Sequence, residues 1–112
     1  MKYIKTYEEN TFISTKDINK YIIFIHEEDM LYLGKISDVS SYAYGYVDIN
    51  IIYEYDYVQF EKKEINTEKV TNIYDIDVYD IFESSELENA KYNFEFFVNE
   101  IEMEKTANKY NL

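Results

Sequence analysis

The stretch IIYEYDYVQFE, residues 51–61, alternates three tyrosines with two acids inside an apolar run. Alternation at period two is the mark of a strand with one buried face. It predicts Ile51, Tyr53, Tyr55 and Tyr57 on one face, core or half-core. Glu54 and Asp56 fall on the other, with Val58 and Phe60 continuing that second face. The upstream residues YVDIN extend the same run, so 46–61 reads as one bent strand or as two broken near Asn50. The flanking KKEINTEK (62–69) reads as a polar connection.

Working outward, KYIIFIH (20–26) is a strand rich in β-branched and aromatic residues. HEED closes a hairpin, and MLYLGKIS (30–37) is the returning strand. Leu31, Leu33 and Lys35 share one of its faces; Tyr32, Gly34 and Ile36 share the other. Gly34 inside a strand predicts a bulge or sharp bend. STKDINK before the first strand reads as a turn or 3₁₀ segment, and DVSSYAYG (38–45) as a loop. VTNIYDIDVYDIF (70–82) holds one or two more strands, with Tyr74, Ile76 and Val78 alternating against Asp75, Asp77 and Tyr79. The opening, MKYIKTYEENTFI, reads as a short helix, with an edge strand as the alternative.

The last element is a helix over 85–108. Ser85-Glu86-Leu87-Glu88 has the form of a capping box. Behind it Leu87, Ala90, Phe94, Phe97, Val98 and Ile101 recur at helical spacing and share one face. Tyr92, Phe96 and Met103 fall on the opposite face. That second stripe is a partner interface, or it is covered by the N-terminal segment, or it is simply exposed. The fold class is therefore α+β: a curled antiparallel sheet or small SH3-like barrel of about five strands, with a C-terminal amphipathic helix. The chain reads as one domain, with an N-terminal segment 1–19, a β region 20–82 and the helix.

Composition bounds the function. The 112 residues carry 23 acids and 11 basic residues, net −12, and every base is lysine. Residues 75–104 alone hold ten acids against Lys91. Such a chain repels phosphate and favours basic partners, so direct nucleic-acid binding is not expected. The absence of cysteine excludes disulfides and thiolate chemistry. The longest apolar run, Tyr21 to Ile25, cannot span a bilayer. Lys2 and Lys5 precede no apolar core of a signal peptide, so the expected location is cytoplasmic.

The opening MKYIKTYEE resembles the start of many small proteins encoded by large bacteriophages of low-GC hosts, in which a similar leader precedes an SH3-like barrel. DINKYIIF resembles their first barrel strand, LYLGKI the second, and VYDIFESSELENAKYNFEFF the final strand and capped helix. The middle, 46–69, is longer and more acidic than that pattern. The resemblance implies a phage origin, hence a host-cell cytoplasm, and an SH3-like core; it implies no activity.

Candidate chemistry is sparse. His26 is the single histidine and has no flanking nucleophile motif. Asp75-x-Asp77-x-x-Asp80 would place two carboxylates about 6.7 Å apart on one strand face, but it lacks the glycine and terminal glutamate of a calcium loop. Two glycines cannot build a phosphate-cradling loop. No cofactor and no metal is expected. What remains is surface: Glu54, Asp56, Asp75, Asp77, Asp80, Glu83, Glu86 and Glu88. If the strands bearing 54–56 and 75–77 are neighbours, their carboxylates form a two-dimensional negative patch.

The expected function is a non-enzymatic acidic phage protein that inhibits a basic host protein. That partner would be a nucleic-acid-binding or defence protein such as a CRISPR effector, engaged through a DNA-mimic-like face. The alternatives are an SH3-like structural or adaptor module, self-associating or docking through Tyr92, Phe96 and Met103, and a carboxylate or metal-dependent enzyme.

Overall fold

The computed structural model describes residues 13–27, 29–40 and 45–111. The helix expected in 1–13 lies outside the described residues but for Ile13. Five strands form one antiparallel open sheet: β1 (Tyr21–Ile25), β2 (Met30–Val39), β3 (Tyr46–Asp56), β4 (Glu61–Asn72) and β5 (Asp77–Phe82). A 25-residue helix, α1 (Leu87–Asn111), follows. The strand order is β4-β3-β2-β1-β5. The first four strands form a meander. A 3₁₀ turn at Ile73–Asp75 then redirects the chain, so that β5 returns to pair with β1.

β1 reads as an unbroken apolar run because both of its faces are covered, and all five residues are buried. Tyr21, Ile23 and Ile25 face α1 together with Leu31, Leu33, Tyr55, Tyr79 and Phe82. From the helix, Ala90, Phe94, Val98 and Ile101 enter this outer core, with Leu87 and Phe97 at its margin. The helical stripe is therefore as its spacing predicts. Ile22 and Phe24 face the other way, into an inner core with Tyr32, Ile36, Val47, Ile49 and Ile51. Ile13, Ile65, Ile73 and Ile76 pack into that inner core from outside the central strands.

The sheet curls toward this inner core. Strands β4 and β1 are three positions apart, about 14 Å in a flat sheet. Yet Thr71 Oγ1 on β4 lies 3.0 Å from Nε2 of His26, just past the end of β1. Lys69 Nζ likewise reaches Glu27 Oε1 at 3.0 Å and sits 5.2 Å above the Tyr32 ring. Short polar groups can meet across that span only if the sheet rolls.

The bend has a residue-level origin. Leu33 pairs with Tyr53 and Gly34 with Ile51, so Ile52 is an extra residue on β3. On the far side Glu64 pairs with Tyr53 and Thr67 with Ile51, so Ile65 and Asn66 together oppose Ile52. Bulges of this kind bend and twist a strand. Gly34, predicted to mark a bend, sits at that point.

Four sequence expectations need correction. Residues 62–69 are not a connection but most of β4, the longest strand of the sheet. They are polar because β4 is an edge strand whose side chains are mostly exposed; its backbone ladder to β3 makes it a strand. Second, Ile51 does not share a face with Tyr53, Tyr55 and Tyr57. The Ile52 bulge slips the phase, so Ile51 enters the inner core and the tyrosines the outer one. Third, β3 ends at Asp56, and Val58 and Phe60 lie exposed in the β3–β4 turn rather than along a strand face. Phe60 has φ +58°, the left-handed conformation of a tight reversal. Fourth, the helix starts two residues later than expected. Glu86 accepts the first helical bond from Ala90 N–H, and its carboxylate accepts the Glu83 N–H at 3.3 Å. At this end the hydrogen bonds join Glu83 to Glu86, the Glu86 N–H donating to the Glu83 carbonyl, and none joins Ser85 to Glu88.

Candidate interaction surfaces

Glu54 and Asp75–Asp77 are not on neighbouring strands. Two strands, β2 and β1, separate β3 from β5, so the composite acidic patch does not form. Glu54 lies on the inner-face side of β3, opposite Tyr32 on β2 and Lys63 on β4. Asp56 ends β3 and turns its carboxylate onto the backbone: Oδ1 accepts from Val58 N–H at 2.9 Å and Gln59 N–H at 3.0 Å. That is the work of a turn-forming aspartate.

The remaining acids gather elsewhere. Asp75 closes the 3₁₀ turn and is not in a strand, so it does not share a strand face with Asp77. Asp77 opens β5. Asp80 is half-buried within β5, where its Oδ1 accepts the Ile81 N–H at 3.0 Å. Glu83 and Glu86 lie in the passage to α1, and Glu88 in its first turn, where a carboxylate suits the helix dipole. Among the described residues β5 ends the sheet on the side opposite β4, so these six acids follow one rim of it. No lysine occurs between Asp75 and Glu88.

Two bases approach the rim: Lys91 Nζ lies 3.9 Å from Glu88 Oε1, and Lys20 is held more closely. Lys20 Nζ lies 3.3 Å from both Asp17 Oδ1 and Glu83 Oε1. These hydrogen bonds, that to Asp17 foremost, raise the Lys20 pKa above its ordinary value. Asp17 is itself buried, and its other carboxylate oxygen accepts the Ser14 N–H at 2.9 Å. Lys20 is thus part of a structural tie between the 3₁₀ turn Thr15–Asp17 and the end of β5.

The other rim is of opposite character. β4 carries Glu61, Glu64 and Glu68 against Lys62, Lys63 and Lys69, which sum to zero. The polar character of 62–69 hides these lysines, since it reads as a connection rather than a strand. The alternation of Lys62 and Glu64 with Lys63 and Ile65 was the available signal. Lys62 bonds Glu95 on α1, and with Lys91 it flanks the Tyr53 ring, at 5.7 and 6.0 Å.

On α1, Tyr92, Phe96 and Met103 are 71%, 50% and 67% exposed. The second stripe is uncovered by any described residue. Among the described residues, no group of three or more His, Asp or Glu side chains is placed to hold a metal ion. His26 is tied to Thr71, and its Nδ1 lies 3.5 Å from Glu27 Oε1. Glu27 in turn is held below the usual carboxylate range by its hydrogen bond from Lys69. Among the described residues, no helix is long and apolar enough to cross a membrane.

Tyr32 is the most perturbed phenol. It is buried against Phe24, with ring centroids 5.2 Å apart. Its pKa is pushed up to about 12, first by burial and then by the carboxylates of Glu27 and Glu54. An unfolded tyrosine ionises near pH 10, about its free value. Between those two values the unfolded chain sheds the proton and the folded chain keeps it. Stability must therefore fall as pH rises through that window. Urea midpoints measured across it should fall less steeply for Tyr32→Phe than for the parent; parallel curves would show that Tyr32 is not the group responsible.

Comparison with known protein families, with curated proteins and with solved structures finds no match to this chain.

Proposed function

We propose that the chain is a non-enzymatic acidic protein of phage origin that binds and inhibits a basic, nucleic-acid-binding host protein, such as a defence effector. It acts in the host cytoplasm, and its binding surface is the β5 rim with the turn into α1. The observation that carries this reading is the run of six acids from Asp75 to Glu88, uninterrupted by lysine in the sequence, along β5 and the passage into α1. Like charges so placed repel one another and cost stability; a basic partner relieves that cost on binding. The carboxylates stand in a single row, sparser than the phosphates of a duplex, which come about every 3.4 Å on each strand. The reading is therefore of an acidic edge competing for a basic groove, rather than of a full duplex replica.

An SH3-like core is consistent with the strand order, the 3₁₀ turn before β5 and the roll that brings Thr71 to His26. A second reading, an adaptor module docking through the outer face of α1, is favoured by the exposure of Tyr92, Phe96 and Met103.

Capture from a bacterial lysate separates them. On the first reading, proteins retained at low salt are released at about 1 M salt, where the screening length shrinks to about 3 Å. They are also displaced by added duplex DNA and lost with Asp75→Lys/Asp77→Lys. Capture indifferent to all three would sink the acidic-edge reading. Loss with Phe96→Glu alone would favour the adaptor.

A further inference from the structure

We propose that a second copy of this chain pairs with the free edge of β4, antiparallel and centred on Ile65, to make one continuous sheet. β4 hydrogen-bonds to β3 on one side and, among the described residues, to no strand on the other. Over 61–69 this edge strand offers a row of backbone groups to a further strand; natural proteins blunt such edges with proline, short strands, charged side chains or bulges. β4 has no proline and is not short; it carries charges, but these are balanced in sign and so can pair with a second copy rather than only repel it.

The edge strand also solves an electrostatic problem for self-association. Two copies at net −12 repel, and the β5 rim could not approach its own kind. β4 carries no net charge. Its side chains alternate regularly despite the bulge. Lys62 and Glu64 face the helix side with Tyr55 and Tyr53, while Ile65 and Lys69 face the inner core. In a continuous two-fold sheet, opposed residues share a face, so the axis must pass through a residue.

Centring on Ile65 sets Glu61 against the other copy's Lys69 and Lys62 against its Glu68. Symmetry repeats both, giving four pairs of opposite sign. Lys63 meets Thr67, Glu64 meets Asn66, and Ile65 meets itself. Neighbouring centres fail or gain nothing. Glu64 would oppose itself if it were the centre. An axis through Asn66 sets Lys63 on Lys69 and Glu64 on Glu68, and one through Thr67 leaves every charge opposite a neutral residue. Lys69 and Lys62 already contact Glu27 and Glu95 within their own copy. The incoming Glu61 and Glu68 extend these pairs into small networks.

Charge swapping tests the register. At about 100 μM, sedimentation should give twice the 13.6 kDa chain mass. Glu61→Lys/Glu68→Lys puts like charges at all four contacts and should weaken association at least about tenfold. Lys62→Glu/Lys69→Glu should do the same. An equimolar mixture of the two variants restores opposite signs at every contact, so it should regain the parent's dimer as a heterodimer, a result that unfolded variants cannot produce. A strictly monomeric parent overturns the proposal. So does a dimer that either double variant leaves intact, or a mixture that stays monomeric.

Discussion

Phe94→Ala is expected to remove about 3–5 kcal/mol of unfolding free energy. Phe94 is fully buried on the inner face of α1, and its ring stacks on Tyr53 of β3 at 5.8 Å. It joins the helix to the outer half of the sheet, and the small neighbouring residue on that stripe, Ala90, cannot fill the space it would leave. A domain of this size has about 5–15 kcal/mol in total, so the loss is a large share of the whole. Urea unfolding followed by circular dichroism measures it, with the slope unchanged if only stability moves. Phe96→Ala, two residues along on the exposed face, is the control and should stay within about 0.5 kcal/mol. Equal effects at the two positions would mean that the helix face is wrongly assigned.

Gly34→Ala should cost about 1–3 kcal/mol, although it adds one methyl group. A Cβ at Gly34 would overlap the Cγ2 of Ile49 and stand 2.9 Å from the carbonyl oxygen of Asn50. Neither neighbour is the free end of a flexible chain. One is a β-branched side chain fully buried in the inner core, and the other is backbone held in the β3–β4 ladder. The requirement is for space rather than for an unusual backbone angle. Combining Gly34→Ala with Ile49→Ala separates the two obstacles. If the side-chain overlap dominates, the double variant will be more stable than the sum of the single effects implies. Strict additivity would assign the cost to the Asn50 carbonyl.

The elements that were legible in the sequence are those whose burial imposes a pattern. β1 is covered on both faces and is a solid apolar run. β2 has correct face assignments because Leu31 and Leu33 enter one core and Tyr32 and Ile36 the other. α1 carries a stripe that matches its contacts. β4 was not legible, because its ladder is made by backbone groups and its side chains carry little trace of burial. Strand order was not legible either. It depends on the 3₁₀ turn at Ile73–Asp75 sending β5 back to β1, and nothing in YDIDVYD specifies that destination. The acidic patch expected from Glu54, Asp56, Asp75 and Asp77 failed for this reason alone. Each acid was a sound candidate, but the set depended on an adjacency that local patterns do not contain. Asp56 illustrates a second limit, since an exposed-looking acid in a string can be occupied by two backbone N–H groups.

The bulge at Ile52 has a consequence for how the molecule comes apart. Upstream of it, Val47, Ile49 and Ile51 belong to the inner core; downstream, Tyr53 and Tyr55 belong to the outer one. One strand is therefore a structural member of both. β1 and β2 span both cores by alternation, whereas β3 does so by halves, so β3 cannot leave without opening both. Two apolar compartments on opposite faces of a sheet could otherwise loosen in stages. Three central strands thus tie the two cores together, β3 by halves on either side of one inserted residue, so damage on either side of the sheet is felt on the other.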